Sequence, residues 1–182
     1  MVTKFIYSII LSALVVVGRQ RCYTVEISSG SVWFERAYGT VEETVFNATL
    51  IELNIGLYKI VKIPRFILEI FTWAPNEGIR VFFNGSYRMC DFRRFEGMGP
   101  FGAAAFKAVH TFSNLTLTCP VPPNMYYATI KADFLSRVAP IRLFYQPNRV
   151  LVIQVSVGEL NSPGNFTKRG FGSITLAFKK NC

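Results

Sequence analysis

Alternating apolar and polar positions recur along much of the chain and predict β-strands. From Arg80 to Cys90, one face of a strand would carry Val81, Phe83, Tyr87 and Met89, and the other Arg80, Asn84, Ser86 and Arg88. Further strands are predicted over residues 22–27, 31–35, 45–61, 67–72, 126–133, 141–145, 150–157 and 172–178. Turn residues separate them, including Ser28-Ser29-Gly30 and Pro75-Asn76-Glu77-Gly78. Many short strands with such turns favour a mostly β fold, a sandwich or a barrel.

One segment has helical spacing instead. Apolar side chains recur at Phe101, Ala105, Ala108, Val109 and Phe112, and Pro100 suits the first turn of a helix. Phe106 lies away from this stripe, so the helix would be apolar on more than one side. We therefore expect one short helix that packs against a sheet or covers an opening.

The first eighteen residues have the three parts of a secretory signal peptide. Lys4 provides the positive start, residues 5–17 form an apolar run, and small side chains precede a cut after Gly18. The alternative, an uncleaved anchor, is disfavoured because a membrane-spanning helix needs about 20 apolar residues. Residues 1–18 are thus predicted to be removed, leaving residues 19–182 as a single secreted, extracellular domain.

Four cysteines follow the predicted leader: Cys22, Cys90, Cys119 and Cys182. An even number in an oxidising compartment indicates two disulfides, and the count alone leaves three pairings open. A metal site is disfavoured because no pair has Cys-x-x-Cys spacing and His110 is the only histidine. We predict Cys90 with Cys119, across the helix, and Cys22 with Cys182, which lie near the ends of the mature chain.

Four Asn-x-Ser/Thr sequons support an extracellular location, because such sites are glycosylated in secreted proteins. They begin at Asn47, Asn84, Asn114 and Asn165. We expect these asparagines to face water and at least some of them to carry glycan.

The charge and the missing motifs limit the function. The net charge of +9 favours acidic partners, such as anionic lipid head groups or an acidic receptor surface, although it also serves solubility. Nucleic acid is not expected, because no basic recognition motif stands out. No nucleophile elbow, paired carboxylates or phosphate-binding glycine loop is present. The sequence therefore predicts neither an enzyme nor a cofactor.

Apolar residues are abundant, at 51% of the chain, with 15% aromatic. A well-packed core accounts for much of this. Two segments, around the predicted helix and over residues 134–145, nevertheless contain more apolar side chains than one helix stripe or one strand face buries. We expect them to line or surround an apolar cavity, because ligand pockets are mainly apolar. The residues predicted at its lining or mouth are Phe101, Phe106, Phe134, Leu135, Ile141 and Phe144.

The surroundings of two cysteines carry a family resemblance. The chain resembles the secreted insect chemosensory proteins of the A and B groups around these cysteines. The resemblance consists of the segment Tyr87-Arg88-Met89-Cys90-Asp91-Phe92, a helix after it, and then Phe112 to Pro120, in which Asn114 precedes Cys119. These chemosensory proteins are similar to the ganglioside activator protein and, more distantly, to the ML-type (MD-2-related) lipid-recognition domains. The resemblance implies a β-cup that admits a hydrophobic ligand at its open end, without catalytic residues.

The sequence thus predicts non-covalent binding of a lipid or another small hydrophobic ligand. The resemblance implies a role in insect chemosensation, with a pheromone or a cuticular hydrocarbon as the ligand. Contact with a membrane surface or a receptor is compatible with the charge. The alternative is a secreted interaction module for a receptor or ion-channel ectodomain, with a solid core and no ligand cavity.

Overall fold

A computed structural model describes residues 23–46, 48–97, 99–115, 119–137, 144–161 and 165–180. The predicted signal peptide, Cys22, Asn47, Ile141 and Cys182 lie outside the described residues. In chain order the elements are β1 (Tyr23–Phe34), β2 (Gly39–Phe46), β3 (Leu50–Leu57), β4 (Pro64–Ala74), β5 (Gly78–Arg88), a 3₁₀ segment (Met89–Gly97), α1 (Gly99–Phe112), β6 (Asn124–Lys131), α2 (Ala132–Arg137), β7 (Val150–Asn161) and β8 (Asn165–Lys180).

The strands form two antiparallel sheets, which confirms the predicted mostly β fold. The larger sheet has five strands in the order β1-β8-β7-β4-β5, and the smaller has three in the order β2-β3-β6. The side of β6 away from β3 is closed by the chain after α1, where the Asn114 side chain accepts a hydrogen bond from the backbone N–H of Tyr127 at 2.7 Å. The amide nitrogen of Asn114 donates to the carbonyl of Met125 at 3.1 Å.

The core lies between the two sheets and consists of the inward-facing residues, which alternate with outward-facing ones along each strand. Leu151 of β7 and Leu176 of β8 are directly opposite one another, and both are completely buried. Ile70 of β4 and Ile51 of β3 are each 1% exposed and belong to the same cluster. Burying one such side chain contributes about 1.5–3 kcal/mol, so the facing strands hold the two sheets together.

A disulfide-closed loop covers one side of this core. Cys90 and Cys119 are bonded, as the sequence predicts, and the loop between them contains the 3₁₀ segment and α1. Phe92 is buried between two other rings, with its centroid 5.8 Å from that of Phe66 and 6.0 Å from that of Phe106. The loop is therefore attached to the larger sheet by aromatic packing as well as by its covalent link.

The expectation of one short helix is only partly correct. The helix predicted after Gly97 is α1, but the 3₁₀ segment and α2 are additional helical elements. The strand predicted to reach Asp133 ends at Lys131, and α2 follows directly. Six residues make fewer than two helical turns, so α2 is too short to show a helical period in the sequence.

Two predicted strand boundaries are wrong. Ser28-Ser29-Gly30 is not a turn, because β1 continues through it with a β-bulge between Ile27 and Ser29. Conversely, residues 45–61 are not one strand: β2 ends at Phe46 and β3 pairs with it antiparallel from Leu50. A Ser/Gly cluster is common to turns and to bulges, so its composition does not distinguish them.

A second bulge reverses one face of β5. Phe83 lies opposite the buried Ile70, but the register then shifts and Val81 lies opposite Phe71. Val81 is consequently 60% exposed, whereas the alternation predicts it on the same face as Phe83. The inserted residue is Phe82, and an extra residue in one strand moves the side chains on one side of it to the other face, here those that precede it in β5.

Arg149 joins the beginning of β7 to the hairpin between β4 and β5. Its Nε donates to the Thr72 hydroxyl at 3.0 Å, and its Nη2 donates to the carbonyl of Gly78 at 2.8 Å. Its Nη1 pairs with the carboxylate of Glu77 at 2.6 Å. Gly78 has a φ of +72°, which glycine adopts without strain, so the hairpin turn fits its sequence.

Among the described residues, no helix is both long enough and apolar enough to cross a membrane.

Candidate ligand cavity between the sheets

An apolar cavity of about 150 Å³ lies between the two sheets. We call it the inner cavity. Its apolar walls come from both sheets: Ile51, Leu53 and Ile130 from the smaller, and Val32, Ile153, Val155 and Ile174 from the larger. For comparison, a 150 Å³ cavity lined by aliphatic and aromatic side chains is large enough to hold benzene.

A second cavity of about 160 Å³, the outer cavity, lies at the next positions along the same strands. On β3, Ile51 and Leu53 line the inner cavity and Ile55 and Leu57 the outer one. On β7, the wall continues from Val155 to Val157. The remaining walls of the outer cavity include Val61, Met89, Leu115, Val121 and Tyr126. The two cavities are thus successive parts of one apolar gap between the sheets.

Two glycines lie on the inward face of β8, and one of them leaves room for this gap. Gly172 lies opposite Val155, and Gly170 lies opposite Val157. A Cβ on Gly172 would have no atom within 4 Å, so the space above it is empty. A Cβ on Gly170 would instead lie 2.5 Å from the ring of Phe34. Phe34, which also lines the outer cavity, therefore occupies the space over Gly170.

This difference predicts opposite effects of the same substitution. Gly172→Ala should keep or slightly raise the free energy of unfolding, because the methyl group enters empty space and glycine is unfavourable within a strand. Gly170→Ala should lower it by about 1–3 kcal/mol, because the methyl group overlaps Phe34 and Val157. Urea denaturation of both variants measures the difference. Equal effects would contradict the placement of the gap.

Each cavity has charged groups in its lining. Glu43 of β2 lines the inner cavity, and its carboxylate lies over Gly30 of β1. Arg65 and Arg169 line the outer cavity. Arg169 is 2.7 Å from the carboxylate of Glu35 and lies over the ring of Tyr38, 4.3 Å from its centroid. The outer cavity therefore combines apolar walls with a cationic group that is held in position.

The charged groups around the outer cavity also affect one another's protonation. Burial raises the pKa of Tyr38, and the adjacent Glu159 carboxylate raises it further. The carboxylate of Glu35 raises the pKa of Arg169. Tyr38 is therefore neutral and Arg169 is charged at physiological pH.

Three of the residues predicted from the sequence to line a cavity pack against the core cluster instead. They are Phe106, Leu135 and Phe144, and among the described lining residues of the inner and outer cavities none of the three occurs. Phe134 meets Phe112 edge to face, with the ring centroids 4.9 Å apart. Phe101 belongs to α1. Their role in ligand binding stays a prediction.

A pair of glycines in the sequence relates to the cavities, although the apolar content alone does not reveal it. Along β8 the inward positions run Gly170, Gly172, Ile174 and Leu176, so two consecutive inward positions lack side chains. Glycine inside a strand weakens it and often marks a place where another group approaches closely. Over Gly170 the approaching group is Phe34, whereas over Gly172 the space is empty and forms part of the inner cavity.

A family model matches part of this chain. It is described as a protein of unknown function (DUF1091) and matches residues 66–141. The segment runs from β4 to beyond α2 and includes the disulfide loop. No curated protein matches the chain.

Three of the four sequon asparagines lie in described parts of the chain. Asn84 of β5, Asn114 after α1 and Asn165 of β8 are all exposed. The side-chain nitrogen of Asn84 donates to Glu69 at 3.0 Å. Whether these sites carry glycan stays a prediction. In the described ranges, no three His, Cys, Asp or Glu side chains are grouped in a way that could hold a metal ion.

Proposed function

We propose that this chain is a secreted, non-catalytic binding protein for a lipid or another hydrophobic ligand, held in the gap between the sheets. The observation that carries the proposal is the pair of apolar cavities along β3 and β7. The resemblance of the cysteine surroundings to the secreted insect chemosensory proteins of the A and B groups supports a role in chemosensation, with a pheromone or cuticular hydrocarbon as the ligand. In this proposal the gap is the interior of a β-cup.

The walls of the gap suit such a ligand energetically. Transfer of a methylene group from water to an apolar site contributes about 0.8 kcal/mol, so a chain of several methylenes binds without a polar anchor. The ligand would replace empty space over Gly172 instead of displacing packed side chains. Binding therefore requires little rearrangement of the core.

Filling the inner cavity tests the proposal. Gly172→Leu places an isobutyl group in the empty space above β8, so we expect at least a tenfold loss of affinity for a fluorescent fatty-acid probe. Thr175→Leu is the matched control, because Thr175 alternates to the other face of the same strand, opposite Val152. Its affinity should equal that of the wild type.

Native mass spectrometry of the secreted wild type, followed by lipid extraction, identifies any ligand carried from the cell. Thermal unfolding shows whether each variant is folded. Unchanged probe binding by a folded Gly172→Leu variant would place the ligand elsewhere. A wild type without bound lipid and without affinity for the probe would overturn the proposal.

The alternative function is a secreted interaction module for a receptor or channel ectodomain. Exposed apolar side chains at the β4–β5 hairpin favour it: Trp73, Ile79 and Val81 are 45%, 63% and 60% exposed. Trp73 and Ile79 are paired across the two strands. Loss of receptor binding in a Trp73→Ser variant that still binds lipid would show that this hairpin has a separate role.

A further inference from the structure

The described residues contain two buried side-chain nitrogens without a hydrogen-bond partner, and both belong to residues that line the outer cavity. They are the Nε atoms of Arg65 and Arg169. A buried donor without an acceptor is unfavourable, and such groups in folded proteins call for an explanation. A ligand that brings an acceptor to the outer cavity would provide one.

Arg169 is the better placed of the two arginines. Its Nη1 donates to the carboxylate of Glu35, and its guanidinium lies over the ring of Tyr38, so its position is fixed on two sides. The side chain is about one-fifth exposed. Arg65 is held less firmly, because its Nη1 makes a long contact, 3.4 Å, with the exposed Ser86 hydroxyl.

The nearby charged groups limit which head group fits. Glu35 is paired with Arg169, and Glu159 accepts a hydrogen bond from the backbone N–H of Lys62. The Lys59 ammonium, 5.3 Å from the ring centroid of Tyr38, adds a further positive charge beside Arg169. A negatively charged head group that accepts a hydrogen bond therefore suits this site.

From these observations we infer that the outer cavity binds the carboxylate of an amphiphilic ligand through Arg169, with the hydrocarbon chain extending past Phe34 to the empty space over Gly172. The inference rests on the proposed function and names the class of ligand. A long-chain carboxylic acid should therefore bind more tightly than an alcohol with the same chain. Pure hydrocarbons should bind more weakly than either.

The test compares decanoate with 1-decanol by isothermal titration calorimetry at neutral pH. Wild type should bind decanoate about 10- to 100-fold more tightly than 1-decanol, the range expected for a hydrogen bond to a charged group. Arg169→Met removes the donors and should bind the two probes equally. Lys168→Met is the matched control, because the Lys168 ammonium lies 4.2 Å from the ring centroid of Phe171, and this variant should keep the preference.

The variants also separate a binding role from a structural one. If Arg169→Met does not fold, Arg169→Lys keeps the positive charge beside Glu35 but has no Nε, so it should fold and lose most of the preference. Retention of the full preference in either folded variant would overturn the inference, as would equal binding of both probes by wild type. Failure of wild type to bind either probe would instead overturn the proposed function itself.

Discussion

Replacing Arg149 with methionine is expected to lower the free energy of unfolding by about 3 kcal/mol. The side chain of Arg149 is 5% exposed, and its guanidinium bonds the Thr72 hydroxyl and two backbone carbonyls. Methionine has a similar length but donates no hydrogen bond, so the acceptors, including the hydroxyl and carbonyl of the buried Thr72, would lose this partner. Urea denaturation followed by circular dichroism measures the change.

Glu77→Gln is the control for this prediction. Glu77 belongs to the same ion pair, but its side chain is 72% exposed, and an ion pair with an exposed member contributes about 0–1 kcal/mol. We therefore expect a small loss of stability. If Glu77→Gln were as destabilising as Arg149→Met, the ion pair and not the buried hydrogen bonds would hold the hairpin.

Removing the disulfide should lower the free energy of unfolding by about as much as Arg149→Met. The bond between Cys90 and Cys119 spans 29 positions, and the chain-entropy model gives about 3.5 kcal/mol for closing a loop of this length. The double variant Cys90→Ala, Cys119→Ala should therefore unfold at a lower urea concentration, as followed by circular dichroism. Either single replacement should reproduce the loss, because each one opens the loop. A loss below about 1 kcal/mol would mean that the unfolded loop is already compact.

The strand content and the helix α1 were predictable because they depend on local patterns. Alternation identified β4, β7 and β8, and a 3.6-residue spacing identified α1. The bulges could not be predicted from these local patterns, because one extra residue moves all the side chains on one side of it to the other face of the strand. The exposed position of Val81 is the clearest consequence.

The sequence analysis did not predict which residues line the two cavities. The apolar content predicted a cavity around the helix and residues 134–145, but Phe106, Leu135 and Phe144 pack around the core cluster, outside the two cavities. Large side chains fill space, so an excess of them does not locate a void. The absence of a side chain at Gly172 does locate it, once β8 is paired with β7.

The bulge in β5 also bears on how the molecule behaves at high concentration. β5 is the last strand of the larger sheet, and a strand in that position offers unpaired backbone groups to other molecules. Here the bulge at Phe82 bends the strand, and Arg80 and Arg88 near its two ends are exposed. A second copy adding in register would bring like charges together and would meet a bent backbone. The same irregularity that reverses the face of Val81 thus protects the sheet against edge-to-edge aggregation.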